Sequence, residues 1–243
     1  MIKPDPYKTA QEVWETKYND AKVMFLAGSV VRNEATPYSD LDLVVVYDDL
    51  KHAWRESFMF KGWHIEAFVH DPHTLKYFFE EIDGKSGRPS LPQMVVEGIP
   101  IPEKSDFSEN LKTIANDLLV AGPPQLSKQE LESFRYGISD LLDDLRSPRN
   151  KQEAMATGTR LYQLLADFWL RSQNKWSANG KTIPRVLSKT DKDFADKYQK
   201  AFDDLFIDGR VDDLVQLTKE VLNPFGGYLF DGHRLNAPEN WKK

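Results

Sequence analysis

Two carboxylates open the strongest strand signal in the chain. Ser39-Asp40-Leu41-Asp42 runs into Leu43-Val44-Val45-Val46-Tyr47, an unbroken apolar stretch of the kind buried on both faces. Residues two apart on a strand point the same way, so Asp40 and Asp42 share a face. Their Cα atoms are expected about 6.6 Å apart, at ~3.3 Å per residue. Carboxylates that close repel each other and are costly to desolvate unless something neutralises them. A divalent cation is the usual answer, and Mg²⁺ is normally held by one or two carboxylates together with substrate phosphates. Upstream, Phe25-Leu26-Ala27-Gly28-Ser29 reads as a strand end and a glycine-serine turn. Glycine lets backbone N–H groups approach a phosphate, and a hydroxyl stands beside it. A third acid, Glu66, sits in the middle of the strand pattern Gly62–His70, where a carboxylate is unexpected.

The elements that must position these residues follow from the pattern. Tyr7 to Asn19 has helical spacing (Val13, Trp14, Tyr18) and should pack on the sheet. Val23 to Ala27 is the first strand. Val30 to Tyr38 is a loop carrying Arg32, read equally as a phosphate contact or a solvated charge, and Asn33. A short apolar piece, Trp54 to Phe60, precedes the Glu66 strand. His73 to Ile82 should be a helix stopped by Gly84. Gly87 to Pro92 reads as a loop, and Gln93 to Glu97 as a short apolar element ending at Gly98. Ile99-Pro100-Ile101-Pro102 reads as an edge strand, since proline is tolerated there. The first domain should therefore close near residue 104.

From Ser105 onward every periodic segment is helical. Ser108 to Ala121 ends at Gly122-Pro123-Pro124, and Ser127 with Glu130 has capping-box spacing. The helix they open runs through Phe134, Ile138, Leu141, Leu142 and Leu145. Asn150 to Arg171 is long, with one apolar side, and shorter helices are expected at about 191–206 and 210–222. The fold class is thus α/β: a small mixed sheet with helices over 1–104, then an α-helical domain over 105–243. Asp140, Asp143 and Asp144 lie three and four apart on one of these helices, a spacing at which like charges are mildly destabilising. A solvated acidic face explains them as well as a functional role does. Lys181, in the loop Lys175–Lys181 with Trp176, reads more readily as packing between helices than as a phosphate contact. The histidines show no metal-ligand spacing.

Composition narrows the partners. The chain has 243 residues, 40% hydrophobic and 12% aromatic, enough for a sizeable core. Its mean hydropathy is -0.56, and no run approaches the ~18 apolar residues of a membrane span. Zero cysteines rule out disulfides and thiolate chemistry, and with no signal-peptide pattern at Met1–Pro6 the expected location is cytoplasmic by default. The net charge of -6 and the absence of a Lys/Arg cluster argue against a nucleic-acid partner and suit a small or cationic acceptor. No membrane partner is expected, and a monomer or homodimer is.

Gly28-Ser29, a loop, then Ser39-Asp40-Leu41-Asp42 resembles the signature of the polymerase-β-like nucleotidyltransferase superfamily. Glu66 matches its third acid on a neighbouring strand. Gly62-Trp63, a glutamate in an alternating strand, then Asp71 leading into an aromatic helix, resembles the kanamycin (aminoglycoside) nucleotidyltransferases more than the polymerases. Asn33 departs from a second glycine that members often carry, though asparagine also tolerates left-handed backbone. The resemblance implies transfer of a nucleoside monophosphate from an NTP, taken to be ATP, to a hydroxyl of a small acceptor, as in antibiotic resistance. It implies that Asp40, Asp42 and Glu66 hold one or two Mg²⁺, and that Ser29 and Ser39 donate to the phosphates. It also implies that a helical-domain acid, Asp143 first and Asp140 or Asp144 next, takes the acceptor proton. The alternatives are a protein-modifying (AMPylating) or antitoxin-type nucleotidyltransferase, and a non-catalytic nucleotide-binding module.

Overall fold

The strand opened by the paired acids lies in the middle of a five-stranded sheet, as its apolar run requires. In the computed structural model, which describes residues 3–237, the strands are β1 (Val23–Ala27), β2 (Leu41–Val46), β3 (Trp54–Phe60), β4 (Trp63–His70) and β5 (Ile99–Ile101). Their order is β3-β4-β2-β1-β5. β2 and β4 run parallel, and every other neighbouring pair is antiparallel. The short apolar piece before Glu66 is therefore an edge strand, exposed at Trp54, Arg55, Ser57 and Met59 and half-buried at Glu56, Phe58 and Phe60. β5, at the other edge, carries Pro100 opposite Phe25.

Two cores flank this sheet. On one face α1 (Pro6–Lys17) lays Ala10, Val13 and Trp14 against Met24, Leu26, Leu43, Val45 and Ile65. Asp5 caps that helix, accepting from the Lys8 N–H at 2.9 Å. Tyr18, just past its end, donates to Glu56 on β3 at 3.0 Å, and Lys17 pairs with the same carboxylate at 2.9 Å. On the other face Val23, Phe25, Val44 and Val46 meet α2 (Pro72–Tyr77), the π-helical turn Phe78–Gly84 that extends it, α3 (Ser90–Glu97) and α4 (Asp106–Ala121).

The first compact unit runs from Met1 to Pro123. The helix after the last strand, placed with the helical domain by a boundary at 104, is α4. It buries Leu111 and Ala115 in the sheet's own core, and Lys112 donates to the Val96 and Gly98 carbonyls at 3.1 and 2.7 Å. α3 starts at Ser90, inside the stretch expected as loop.

The second unit, Pro124–Lys243, is helical. It contains α5 (Lys128–Arg146), α6 (Lys151–Arg171), α7 (Ile183–Thr190), α8 (Lys192–Asp203) and α9 (Asp212–Leu222). Ser127 and Glu130 form the expected capping box. Leu142, Leu161, Leu165, Phe168, Phe202 and Leu214 are fully buried in its core. α7, unforeseen in the sequence, has Pro184 in its first turn and buries Ile183 and Leu187. Ala178 joins the same core, so the loop carrying Lys181 packs helices together, and Lys181 itself is exposed. Among the described residues no helix is long and apolar enough to cross a membrane.

One buried histidine links this packing to pH. His70, at the end of β4, is 3% exposed and meets the Phe78 ring edge-on at 4.8 Å. Burial pushes its pKa down from 6.5 to about 4, against the opposing pull of Asp71. As pH falls, the unfolded chain takes up this proton before the folded one does. Stability from this group is present above pH 6.5 and is lost towards pH 4. The loss is at most roughly 3 kcal/mol. His70→Leu should therefore flatten the decline of urea-unfolding stability between pH 7 and 4; a slope equal to the parent's would assign that decline to other groups.

Candidate active site

Strand register brings the three acids together. Asp40 immediately precedes β2, Asp42 is its second residue, and Glu66 on β4 is the direct partner of Asp42 in the parallel pair. Ala27, Asp42, Glu66 and Ser57 form one row across the sheet. The next row inward is Phe25, Val44, Phe68 and Arg55. Along β4 this face passes from exposed His64 through half-buried Glu66 and Phe68 to buried His70. The acids thus stand where the helical cover has ended. One carboxylate oxygen from each of Asp40, Asp42 and Glu66 lies within 4.8 Å of the others.

Gly28 makes this convergence possible. It follows β1 with φ +78°, a conformation that side chains rarely adopt. A Cβ there would also fall 2.0 Å from Asp42 Oδ2, so the carboxylate occupies the space a side chain would need. Ser29 and Val30 continue a 3₁₀ turn, and the Ser29 carbonyl accepts from the Glu34 N–H at 2.9 Å. The half-buried Ser29 hydroxyl makes no hydrogen bond with a described residue. Ser39 closes the same loop from its far end: its Oγ accepts from the Thr36 N–H at 2.8 Å, and its carbonyl accepts from Lys3 Nζ at 2.7 Å. Asn33 takes the left-handed conformation expected of it, with φ 58°.

Arg32, read equally as a phosphate contact or a solvated charge, is exposed and pairs with two carboxylates. Its Nη1 donates to Glu97 on α3 at 3.0 Å and its Nε to Glu34 at 3.3 Å, pinning the turn to the helix behind it. Burial works against its charge, yet the two carboxylates outweigh burial and raise its pKa. Asp143 is exposed on α5 and pairs with Arg146 at 2.7 Å; Asp140 and Asp144 are exposed too.

The donor set fits a hard divalent cation. Three carboxylate oxygens with no sulfur or imidazole suit Mg²⁺ or Mn²⁺ rather than a softer metal. The site also holds a cation that sequence reasoning missed. Arg55 Nη2 donates to Glu66 Oε2 at 2.6 Å, and its guanidinium lies 4.8 Å from the Phe68 ring centre. Period-2 alternation groups Arg55 with Ser57 and Met59 on one face of β3, and the register of β3 on β4 makes that the face of Glu66.

Comparison with known proteins agrees with this geometry. Residues 8–101 match the family described as the nucleotidyltransferase domain. The matched segment runs from α1 to the end of β5 and includes Asp40, Asp42 and Glu66. Among solved structures it is similar to a nucleotidyltransferase-like protein from Exiguobacterium sibiricum 255-15, at 13% identity and a TM-score of 0.49. That match covers 88% of this chain and 75% of the other. No curated protein matches the sequence.

The close approach at Gly28 can be separated from its backbone conformation. Gly62, in the β3–β4 turn, has a similar φ of +84°, with nothing within 4 Å of an added Cβ. Gly28→Ala should cost about 1–3 kcal/mol and more than Gly62→Ala when both are measured by denaturant unfolding. Equal costs would show that Asp42 swings clear of the new methyl without penalty.

Proposed function

We propose that the protein transfers a nucleoside monophosphate from an NTP, with ATP the first candidate, to a hydroxyl of a small cationic acceptor of the aminoglycoside kind. The observation that carries this reading is the convergence of Asp40, Asp42 and Glu66 within a nucleotidyltransferase domain. These three residues would hold Mg²⁺. When bound, the cation orients the triphosphate and offsets charge on the phosphoryl oxygens. The Ser29 hydroxyl donates to a phosphate oxygen. Ser39 Oγ accepts from the Thr36 N–H and lies 3.4 Å from Thr36 Oγ1, a long contact from which its proton turns to a second such bond. The acceptor oxygen bonds to the α-phosphorus, the bond from that phosphorus to the bridging oxygen breaks, and pyrophosphate leaves.

The acceptor proton needs a base outside the triad, whose oxygens are committed to the cation. We assign it to α5, with Asp143 first and Asp140 or Asp144 next, all of which present exposed carboxylates. The exposed Asp143–Arg146 pair is worth at most about 1 kcal/mol and does not withhold Asp143 from this role. An acidic protein surface favours a polycation over a nucleic acid as acceptor.

The test is pyrophosphate release from labelled ATP and Mg²⁺ with a panel of aminoglycosides. Label should pass to at least one of them; label transferred only to protein, or to no acceptor, would overturn the assignment. Asp42→Asn and Glu66→Gln should each lose nearly all turnover. Without metal, Asp42→Asn should melt at or above the parent temperature, because one of the converging charges is gone. Asp140→Asn, Asp143→Asn and Asp144→Asn, made separately, should identify the base by a turnover loss of about 10²–10⁴ at unchanged ATP affinity. Near-parental turnover in all three would remove α5 from the mechanism.

A further inference from the structure

The proposed cation site has a resident counter-charge on the edge strand, and its position suggests a job. Arg55 belongs to the row inward of Glu66 and reaches diagonally to it across the face of Phe68. The guanidinium is held from two sides, by a charge-assisted hydrogen bond and by the ring, so it is pre-placed although its side chain is 57% exposed. It meets the one acid of the three that comes from β4, and its positive charge offsets the repulsion that Asp40 and Asp42 exert on Glu66.

We propose that Arg55 is a positioning residue that holds the acid cluster assembled without metal and, by competing for Glu66, weakens its affinity for a free divalent cation. Arg55 holds Oε2 of Glu66. A cation that binds must either take that oxygen from the guanidinium or use the other oxygen and sit near a positive charge. Metal uptake is thereby biased toward a cation that arrives with phosphate oxygens of its own, which repay the lost contact. This inference rests on the metal assignment made above.

Calorimetric titration of the full chain with Mn²⁺ in the absence of nucleotide tests it, using Arg55→Met and Arg55→Lys. Methionine keeps the contact with Phe68 and removes the charge, whereas lysine keeps the charge. Arg55→Met should bind Mn²⁺ about three- to tenfold more tightly than the parent. Its metal-free form should melt lower, and Arg55→Lys should stay near the parent in both measurements. Equal or weaker Mn²⁺ binding by Arg55→Met, with binding still abolished by Asp42→Asn, would overturn the role of Arg55 while leaving the metal site intact. Binding that Asp42→Asn leaves untouched, or no binding by any of the proteins, would overturn the metal assignment and this inference with it.

Discussion

A missing side chain is the constraint on which the candidate site depends. The Asp42 carboxylate fills the volume beside Gly28, and the backbone there takes a conformation that other residues resist. Asp42 lies in register between Ala27 on β1 and Glu66 on β4, so the glycine turn and the third acid are fixed by the same sheet row. Two conditions, steric room on one side and a parallel partner on the other, place three carboxylates within reach of a single ion.

The same sheet face serves two purposes along its length. Towards Val46 and His70 it is buried, with α2, α3 and α4 packed over Val23, Val44 and Val46. Towards Asp42 and Glu66 it opens, and the carboxylates there are half-buried. Arg32 and Glu97 join the two regions, tying the turn after Gly28 to the end of α3. Stability is concentrated at one end of β2 and chemistry at the other, only a few residues apart.

Much of this was legible in residue order. The apolar run of β2, the full burial of β1 and the proline in β5 each have a local pattern with a physical cause. Asp40 and Asp42 were found by period-2 spacing, and Glu66 by its oddity inside a strand. What escaped depended on contacts distant in sequence. Arg55 gains meaning only when β3 is seen antiparallel to β4, and Glu97 only when α3 is seen behind the turn. α4 has the amphipathic pattern of a helical-domain segment, and only packing decides which core receives Leu111. α7 was hidden because a short helix after Asn179-Gly180 and around Pro184 carries loop-like composition.

The parallel pairing of β2 with β4 also sets an order of events during folding. β3 and β4 are joined by the tight turn at Lys61-Gly62 and can zip as a local hairpin. Asp42 and Glu66 become neighbours only after that hairpin docks on β2, because a parallel neighbour cannot be reached by a tight turn. The acid cluster is therefore absent from the hairpin alone and from any intermediate lacking the docked strand. An ion held by all three carboxylates would recognise the finished sheet and no earlier species, adding to the barrier against unfolding rather than hastening assembly.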